Sequence, residues 1–252
     1  MKTCWTQIGR MMVLTAMATA LSAGAVSEVG SKPEERPTQV QFTPDPKLPN
    51  VLILGDSISI GYLAPLRKEL TGKANVYRPV DPKNGGPENC ESTLTGLKNI
   101  DRWLGDTKWT VIHFNFGLHD LKHVTSRVNG HSSGKPEDPR WIDPDQYVPN
   151  LEKLVVRLKQ TGAHLIFATT TPVPEGLKGF PFRVASDVPL YNDAALAVMK
   201  KNGVTVDDLY ALCLPRLAQM QRKKNVHFTE AGSVELAKAV ARSIEPELAK
   251  TP

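Results

Sequence analysis

The sequence predicts an α/β fold, in which helices cover both faces of a parallel β-sheet. Apolar, strand-like runs alternate with helical segments along most of the chain, and this order requires right-handed crossovers between parallel strands. The chain has 252 residues, of which 40% are hydrophobic, so it can bury one sizeable core. We therefore expect a single α/β domain.

Residues 1–25 are typical of a signal peptide. Lys2 and Arg10 form a basic start, the apolar run 11–25 is short for a membrane span, and Ala23-Gly24-Ala25 supplies small residues for cleavage. An uncleaved membrane anchor is the alternative. Residues 26–48 are rich in Pro, Ser, Glu and Lys and predict a linker, which leaves residues 49–252 for the domain. We expect a secreted or periplasmic protein without stable membrane insertion.

The elements of the domain follow in order. A continuous apolar run, as in "NVLILG" from Asn50, predicts a strand buried on both faces. Further strands are predicted in "ANVYRPV", "WTVIHFNFG" and "AHLIFATTTPV", and a short fifth strand in "VTVDDLYAL". Helices are predicted in "ISIGYLAPLRKEL", "LTGLKNIDRWLG", "PDQYVPNLEKLVVRLKQTG", "DVPLYNDAALAVMKKNG" and "TEAGSVELAKAVARSIEPEL". In the second helix Leu94, Leu97, Ile100 and Leu104 share one face, and Thr229 is a plausible cap of the last helix.

Composition limits the possible partners. The net charge of +5 comes from scattered basic residues rather than a cluster, so no nucleic-acid partner is expected. Cys90 and Cys213 can form one disulfide in an oxidising compartment or remain two unpaired core thiols. His119 and His123 are four residues apart but have no obvious third ligand, so neither a metal nor a cofactor is expected.

Three polar groups follow predicted strands or precede helices. In a parallel sheet the functional groups gather beyond the carboxyl ends of the strands. Ser57 follows the first strand, His119 lies in "NFGLHD" after the third, and His227 lies in "NVHFTEAG" before the last helix. Ser57 is either a nucleophile activated by a nearby base or merely a helix cap. A histidine ahead of one helix can reach a serine ahead of another if both lie at the same edge of the sheet, so Ser57 and His227 are candidates to share a proton.

These stretches resemble a known family. "GDSIS", "GLHD" and "VHFTEAG" are similar to the first, third and last sequence blocks of the SGNH, or GDSL, esterases and lipases, in particular their exported bacterial branch. The resemblance implies a three-layer α/β/α sandwich of the flavodoxin-like type with a five-stranded parallel sheet. It also implies Ser57 as nucleophile and His227 as base. The oxyanion hole would comprise the backbone N–H of Ser57, that of Glu91 in the second block, and the His119 side chain.

The chain departs from the family pattern at three positions. His119 stands where asparagine is usual, and Glu91 stands where glycine is usual. Lys224, three residues before His227, stands where the family has the aspartate that orients the imidazole. Three outcomes are open for that role: a backbone carbonyl, an acid from elsewhere such as Glu91 or Asp187, or a weak or inactive enzyme.

The function expected from these features is that of a serine esterase. It would remove short acyl groups, acetyl foremost, from a carbohydrate through an acyl-enzyme, as a monomer, with a small-molecule or polysaccharide ester as substrate. The alternatives are a lipase-like, lysophospholipase-like or thioesterase activity, and a degenerate esterase that only binds carbohydrate. Trp141 lies in the long polar segment "SRVNGHSSGKPEDPRWIDPDQ", which is either a substrate lip or a disordered insertion.

Overall fold

A computed structural model describes residues 42–177 and 180–250, so the predicted signal peptide and most of the predicted linker lie outside the described residues. Its five strands are all parallel and lie in the order β2-β1-β3-β4-β5. They are Asn50–Leu54 (β1), Asn75–Tyr77 (β2), Val111–Phe114 (β3), His164–Ala168 (β4) and Thr205–Asp207 (β5). This sheet confirms the predicted fold class.

The helices form a layer on each face of the sheet. Their bounds are Ser57–Glu69 (α1), Thr93–Leu104 (α2), Pro144–Lys159 (α3), Asp187–Asn202 (α4), Leu209–Cys213 (α5), Leu217–Met220 (α6) and Glu230–Leu248 (α7). One layer contains α1 packed on α7, and the other contains α3 between α2 and α4. The predicted fifth strand is shorter than its segment, because Asp208 caps α5 directly after β5.

The strands are apolar along their whole length because both faces of the sheet are covered. Val51, Leu52, Ile53 and Leu54 are each at most 1% exposed. In the register of the sheet Leu54 lies beside Phe114, and Phe114 lies beside Phe167. The carboxyl ends of β1, β3 and β4 therefore lie side by side, and the loops that follow them meet at one edge of the sheet.

Two segments outside the regular elements are also held in place. Phe42, in the predicted linker, packs edge-on against Tyr77 with ring centroids 5.1 Å apart, and Asn75 binds the backbone of Asp45. The polar segment after β3 is folded back on itself by bridges between Val124 and Ser132 and between His123 and Arg140. This segment is therefore a structured lip.

Cys90 and Cys213 are separate buried thiols rather than a disulfide. Trp103 and Trp109 lie in the core, each 5% exposed. None of the helices in the described part of the chain is long and apolar enough to cross a membrane.

Candidate active site

The turn after β1 presents Ser57 at the first position of α1. Asp56, not Ser57, is the N-cap of this helix, because its Oδ1 accepts the backbone N–H of Ile58 at 2.9 Å. The Ser57 hydroxyl is therefore not used for capping. The backbone N–H of Ser57 has no acceptor among the described residues, as is usual in the first turn of a helix. A hydroxyl and an open N–H thus face the same edge of the sheet.

A buried arginine stabilises this turn through hydrogen bonds. Arg78, 7% exposed, donates from Nη1 to Ser59 Oγ at 2.6 Å and from Nη2 to the Gly55 carbonyl at 2.6 Å. A Cβ at Gly55 would lie 2.8 Å from Ser59 Oγ, so the tight turn requires glycine there. Sequence reasoning missed Arg78. The available signal was a charged residue at the end of the apolar strand "ANVY".

The structure brings Ser57 and His227 together although 170 residues separate them. Ser57 Oγ lies 2.9 Å from His227 Nε2. His227 lies on a loop closed by a bridge between Gln221 and Phe228. Thr229 then caps α7 by accepting the backbone N–H of Gly232 at 3.0 Å. This is the geometry that a serine nucleophile and its general base need.

Asn225 orients the imidazole. Its Oδ1 lies 2.7 Å from His227 Nδ1 and accepts the backbone N–H of His227 at 2.9 Å. A backbone N–H can only donate, so the atom it meets must be the amide oxygen, and Nδ1 must carry a proton to bind the same atom. The lone pair of His227 then lies on Nε2, facing Ser57 Oγ.

The acceptor of the imidazole is thus none of the groups that the sequence suggested. No backbone carbonyl accepts from Nδ1 within the described residues. Asp187 is bound instead by the guanidinium of Arg140, at 2.6 and 2.7 Å, and Glu91 accepts from Thr95 Oγ1 at 3.2 Å. The spacing Asn-x-His was the missed signal, since asparagine side chains commonly accept from the N–H two residues on.

His227 is neutral at neutral pH. Burial lowers the pKa of its imidazole, the carboxylate of Asp56 opposes that shift, and Arg222 and Arg183 reinforce it. An unprotonated Nε2 can accept the hydroxyl proton of Ser57.

His119 lies beside this pair as a neutral imidazole. Burial, followed by the charges of Arg183 and Lys122, lowers the pKa of His119 to about 3. Its Nδ1 is buried without a partner in the described residues. A buried lone pair costs less than a buried N–H without an acceptor, so the proton is favoured on Nε2. His119 can then donate one hydrogen bond into the cleft that it lines.

Glu91 has a backbone conformation that favours glycine, the residue usual at this position. Its φ of 52° is in the left-handed region, which glycine adopts most readily. Its N–H, however, already donates to Asn89 Oδ1 at 3.0 Å. This donor becomes available to a substrate only if the Asn89 side chain turns away. Asn89 itself lines the cleft and was also missed by sequence reasoning.

Asp120, the residue after His119, stabilises the loop after β3 through hydrogen bonds. Its Oδ1 accepts the backbone N–H of Thr93 at 2.9 Å and the Thr93 hydroxyl at 2.5 Å. The carboxyl is fully buried, and burial raises its pKa to about 7, against the lowering effect of the Thr93 hydrogen bonds. This contact ties the N-terminus of α2, and with it the Glu91 turn, to the loop after β3.

Two clefts meet at Ser57 and His227. The first, about 540 Å³, is polar and is lined among others by His119, Lys122 and Arg183. The second, about 460 Å³, runs between α1 and α7. Its apolar lining includes Ile58, Ile60, Pro65 and Phe228. An ester bound at Ser57 can therefore extend in two directions.

Comparisons with known proteins agree with this architecture. A solved structure with a similar fold is a lipase/acylhydrolase from Enterococcus faecalis, 19% identical, covering 81% of this chain and 99% of that one, with a TM-score of 0.62. Another is a catalytic mutant of an acetylxylan esterase from Geobacillus stearothermophilus, 17% identical, covering 81% and 97%, with a TM-score of 0.59. No curated protein sequence matches.

The family assignment rests on the sequence itself. The profile of the GDSL-like lipase/acylhydrolase family matches residues 53–233. This range runs from within β1 to the first turn of α7 and includes Ser57, His119 and His227. The chain therefore belongs to the GDSL-like lipase/acylhydrolase family, a family of esterases.

Proposed function

We propose that the protein is a serine esterase that removes short acyl groups, acetyl foremost, from a carbohydrate. The observation that carries the proposal is the contact of 2.9 Å between Ser57 Oγ and His227 Nε2, with the tautomer of His227 set by Asn225. A hydroxyl hydrogen-bonded to a neutral, oriented imidazole is an activated nucleophile.

The reaction follows from these positions. His227 Nε2 takes the proton of Ser57 as Oγ attacks the ester carbonyl, and the resulting imidazolium gives that proton to the leaving alcohol. The acyl group stays on Ser57 until a water molecule, deprotonated in the same way, releases it. The Ser57 N–H and the His119 Nε2–H stabilise the oxyanion. The Glu91 N–H joins them if the Asn89 amide rotates.

Three features support a carbohydrate ester. The first cleft is open and polar, the similar folds include acetylxylan esterases, and the structured lip contributes Ser132 to the cleft. The predicted signal peptide at residues 1–25 fits a polymeric substrate, which is met outside the cell. The apolar groove between α1 and α7 favours a second candidate, an esterase for longer acyl chains.

A comparison of simple esters tests the proposal. Wild type should hydrolyse p-nitrophenyl acetate faster than the octanoate, and Ser57→Ala should abolish both activities and labelling by a serine-reactive phosphonate. Ser186→Ala is the control, because Ser186 is an exposed serine at a helix start that makes no side-chain cap. Faster octanoate hydrolysis would favour the second candidate. Equal labelling of wild type and Ser57→Ala would exclude a Ser57 nucleophile.

A second variant tests the oxyanion role of His119. Removing one oxyanion donor typically lowers kcat by about 10²- to 10³-fold, and His119→Ala should fall in this range. An unchanged turnover would remove His119 from the mechanism while leaving Ser57 and His227 in place.

A further inference from the structure

Arg183 lines the first cleft and forms no ion pair with a carboxylate in the described part of the chain. It is 6% exposed, its Nε donates to the Leu118 carbonyl at 2.8 Å, and its Nη1 reaches the Pro181 carbonyl at 3.4 Å. Its Nη2 has no acceptor, and no acid lies within ion-pair distance, in the described part of the chain. Carbonyl oxygens orient the guanidinium, and the charge of Asp56, which favours the protonated form of Arg183, acts on it without an ion pair.

Lys122 brings a second such charge to the same cleft. It is also 6% exposed, and its Nζ lies 4.4 Å from the ring centroid of Trp141. Within residues 42–177 and 180–250 its ammonium forms neither a salt bridge nor a hydrogen bond. A cation–π contact offsets only part of the cost of burying an unpaired ion.

Arginines such as Arg140 and Arg102 are paired with carboxylates, whereas buried Arg78 binds, among the described residues, only a hydroxyl and backbone carbonyl oxygens. Arg140 binds Asp187 through two bonds, and Arg102 binds Glu88 through two bonds. Around the first cleft the charges are instead unbalanced. Lys122, Arg183 and Lys224 line it with one carboxylate, that of Glu91, among the described residues.

The two buried cations also repel each other. Burial lowers the pKa of Lys122, the charges of Glu91 and Asp120 oppose that shift, and the charge of Arg183 reinforces it. Burial lowers the pKa of Arg183 to about 10, against the raising effect of the Asp56 charge. Because buried charges are normally paired, the missing counter-charge is expected from a ligand in the cleft.

We propose that Lys122 and Arg183 bind an anionic group of the substrate, so that the preferred ester is an acetylated acidic carbohydrate. The inference rests on the proposed function: an acetyl group has no charge, so the anion must be on the sugar that carries it. The open Nη2 of a guanidinium and the ammonium of a lysine in the same cleft suit a carboxylate or a sulfate oxyanion. Both residues line the cleft that holds Ser57.

Three chemically O-acetylated polymers of equal acetyl content test the inference. O-acetylated dextran is neutral, O-acetylated dextran sulfate carries sulfate, and O-acetylated polygalacturonate carries carboxylate. At low salt the kcat/KM for at least one anionic polymer should exceed that for dextran by about tenfold or more, equivalent to about 1.4 kcal/mol. The excess should shrink near 1 M salt, where the Debye length is about 3 Å. The anionic polymer that is preferred identifies the oxyanion.

Lys122→Met assigns the preference to the cleft, because it removes the charge and keeps the length of the side chain. It should lower the anionic-to-neutral ratio by about tenfold. Lys200→Met is the matched control: Lys200 is exposed in the last turn of α4, at the opposite edge of the sheet, and the ratio should not change. Arg183→Lys should lower the ratio as well, but Arg183 also holds the Leu118 carbonyl, so Lys122→Met is the decisive variant.

The outcomes separate this inference from the proposed function. If wild type cleaves p-nitrophenyl acetate through Ser57 but shows no anionic preference, or if Lys122→Met retains that preference, the inference is overturned and the esterase function stands. If no ester is cleaved, the esterase proposal fails. Calorimetry with unacetylated polygalacturonate and dextran sulfate then decides the inference: saturable binding lost in Lys122→Met supports it, and no binding overturns it.

Discussion

Asn225 performs with a neutral amide the orienting role that serine triads usually give to a carboxylate. In such a triad an aspartate-to-asparagine change costs about 10⁴-fold in kcat because the amide favours the wrong imidazole tautomer. Here the backbone N–H of His227 occupies the same Oδ1, so the amide cannot present its NH₂ group to Nδ1 without losing that bond. The right tautomer is therefore retained without a charge.

Replacing Asn225 tests this arrangement. Asn225→Ala should lower kcat by about 10²- to 10⁴-fold, the range that a positioned general base contributes, because Nδ1 loses its acceptor. Lys223→Ala, a change of an exposed side chain in the same loop, controls for disturbance of the loop. Turnover of Asn225→Ala equal to wild type would show that the imidazole needs no such partner.

The pKa of His227 predicts where activity fails in acid. Burial holds this pKa below the ordinary 6.5, and the base acts only when unprotonated. The kcat/KM for p-nitrophenyl acetate should thus reach half its plateau below pH 6.5. His119 does not contribute to the pH dependence of kcat/KM in this range, since its pKa is about 3. Asn225→Asp should move the acid limb upward by about one unit or more, because a carboxylate favours the imidazolium. A wild-type midpoint above pH 7 would contradict this account.

The start of α7 fixes the loop that carries His227. The Met220 carbonyl accepts the backbone N–H of Thr229 at 2.8 Å and the Thr229 hydroxyl at 3.1 Å. A Cβ added at Gly232 would lie 2.2 Å from that carbonyl oxygen. Gly232 therefore allows the close approach that sets the two ends of the loop, and a side chain there would push Met220 away.

Two glycine-to-alanine changes on adjacent helices should have opposite effects. Gly232→Ala should destabilise the protein by about 1–3 kcal/mol through overpacking. Gly61→Ala in α1 should stabilise it by about 0.5–1 kcal/mol, since its Cβ would meet only Ser233 Oγ at 3.5 Å. Thermal unfolding measures both, with a shift of about 2–4 °C per kcal/mol for a domain of this size. A Gly232→Ala variant as stable as wild type would contradict the packing argument.

The sequence predicted the strands and helices well because each depends on a local pattern. "NVLILG" and "WTVIHFNFG" are apolar on both faces and became β1 and β3. The face of α2 was less predictable. Leu94 was expected in the buried face but is 44% exposed, because Thr93 is held by Asp120 and Gly96 packs closely on Phe116. Those contacts join distant segments and leave no periodic signal.

The same distinction applies to the site. Ser57 and His227 could be paired from the sequence because both were expected at the strand-end edge of a parallel sheet and both lie in stretches that resemble sequence blocks of the family. The roles of Arg78, Lys122 and Arg183 could not be predicted from the sequence. Those roles depend on which groups surround each charged side chain in the folded protein. Burial and pairing of charges are properties of the folded molecule and not of any segment.

At the scale of the whole molecule, buried titratable groups make stability depend on pH in opposing ways. The pKa of Asp120 rises from 3.8 to about 7 on folding, so the folded state binds a proton that the unfolded state has released. Stability then falls as pH rises from about 4 to 7. The pKa of His119 falls from 6.5 to about 3, so its contribution to stability is lost as pH falls below 6.5.

Asp120→Asn isolates one of these contributions. The amide keeps an oxygen for Thr93 but cannot titrate, so the free energy of unfolding of wild type should fall relative to the variant as pH rises from about 4 to 7. The difference in free energy of unfolding between wild type and variant should change by at most about 1.4 kcal/mol per pH unit. Above pH 7 this difference should be constant. Urea unfolding at a series of pH values measures it. Asp106→Asn is the control, because Asp106 is exposed. The free energy of unfolding of this variant should change with pH as that of wild type does. Parallel curves for wild type and Asp120→Asn would mean that the buried carboxyl does not take up a proton on folding.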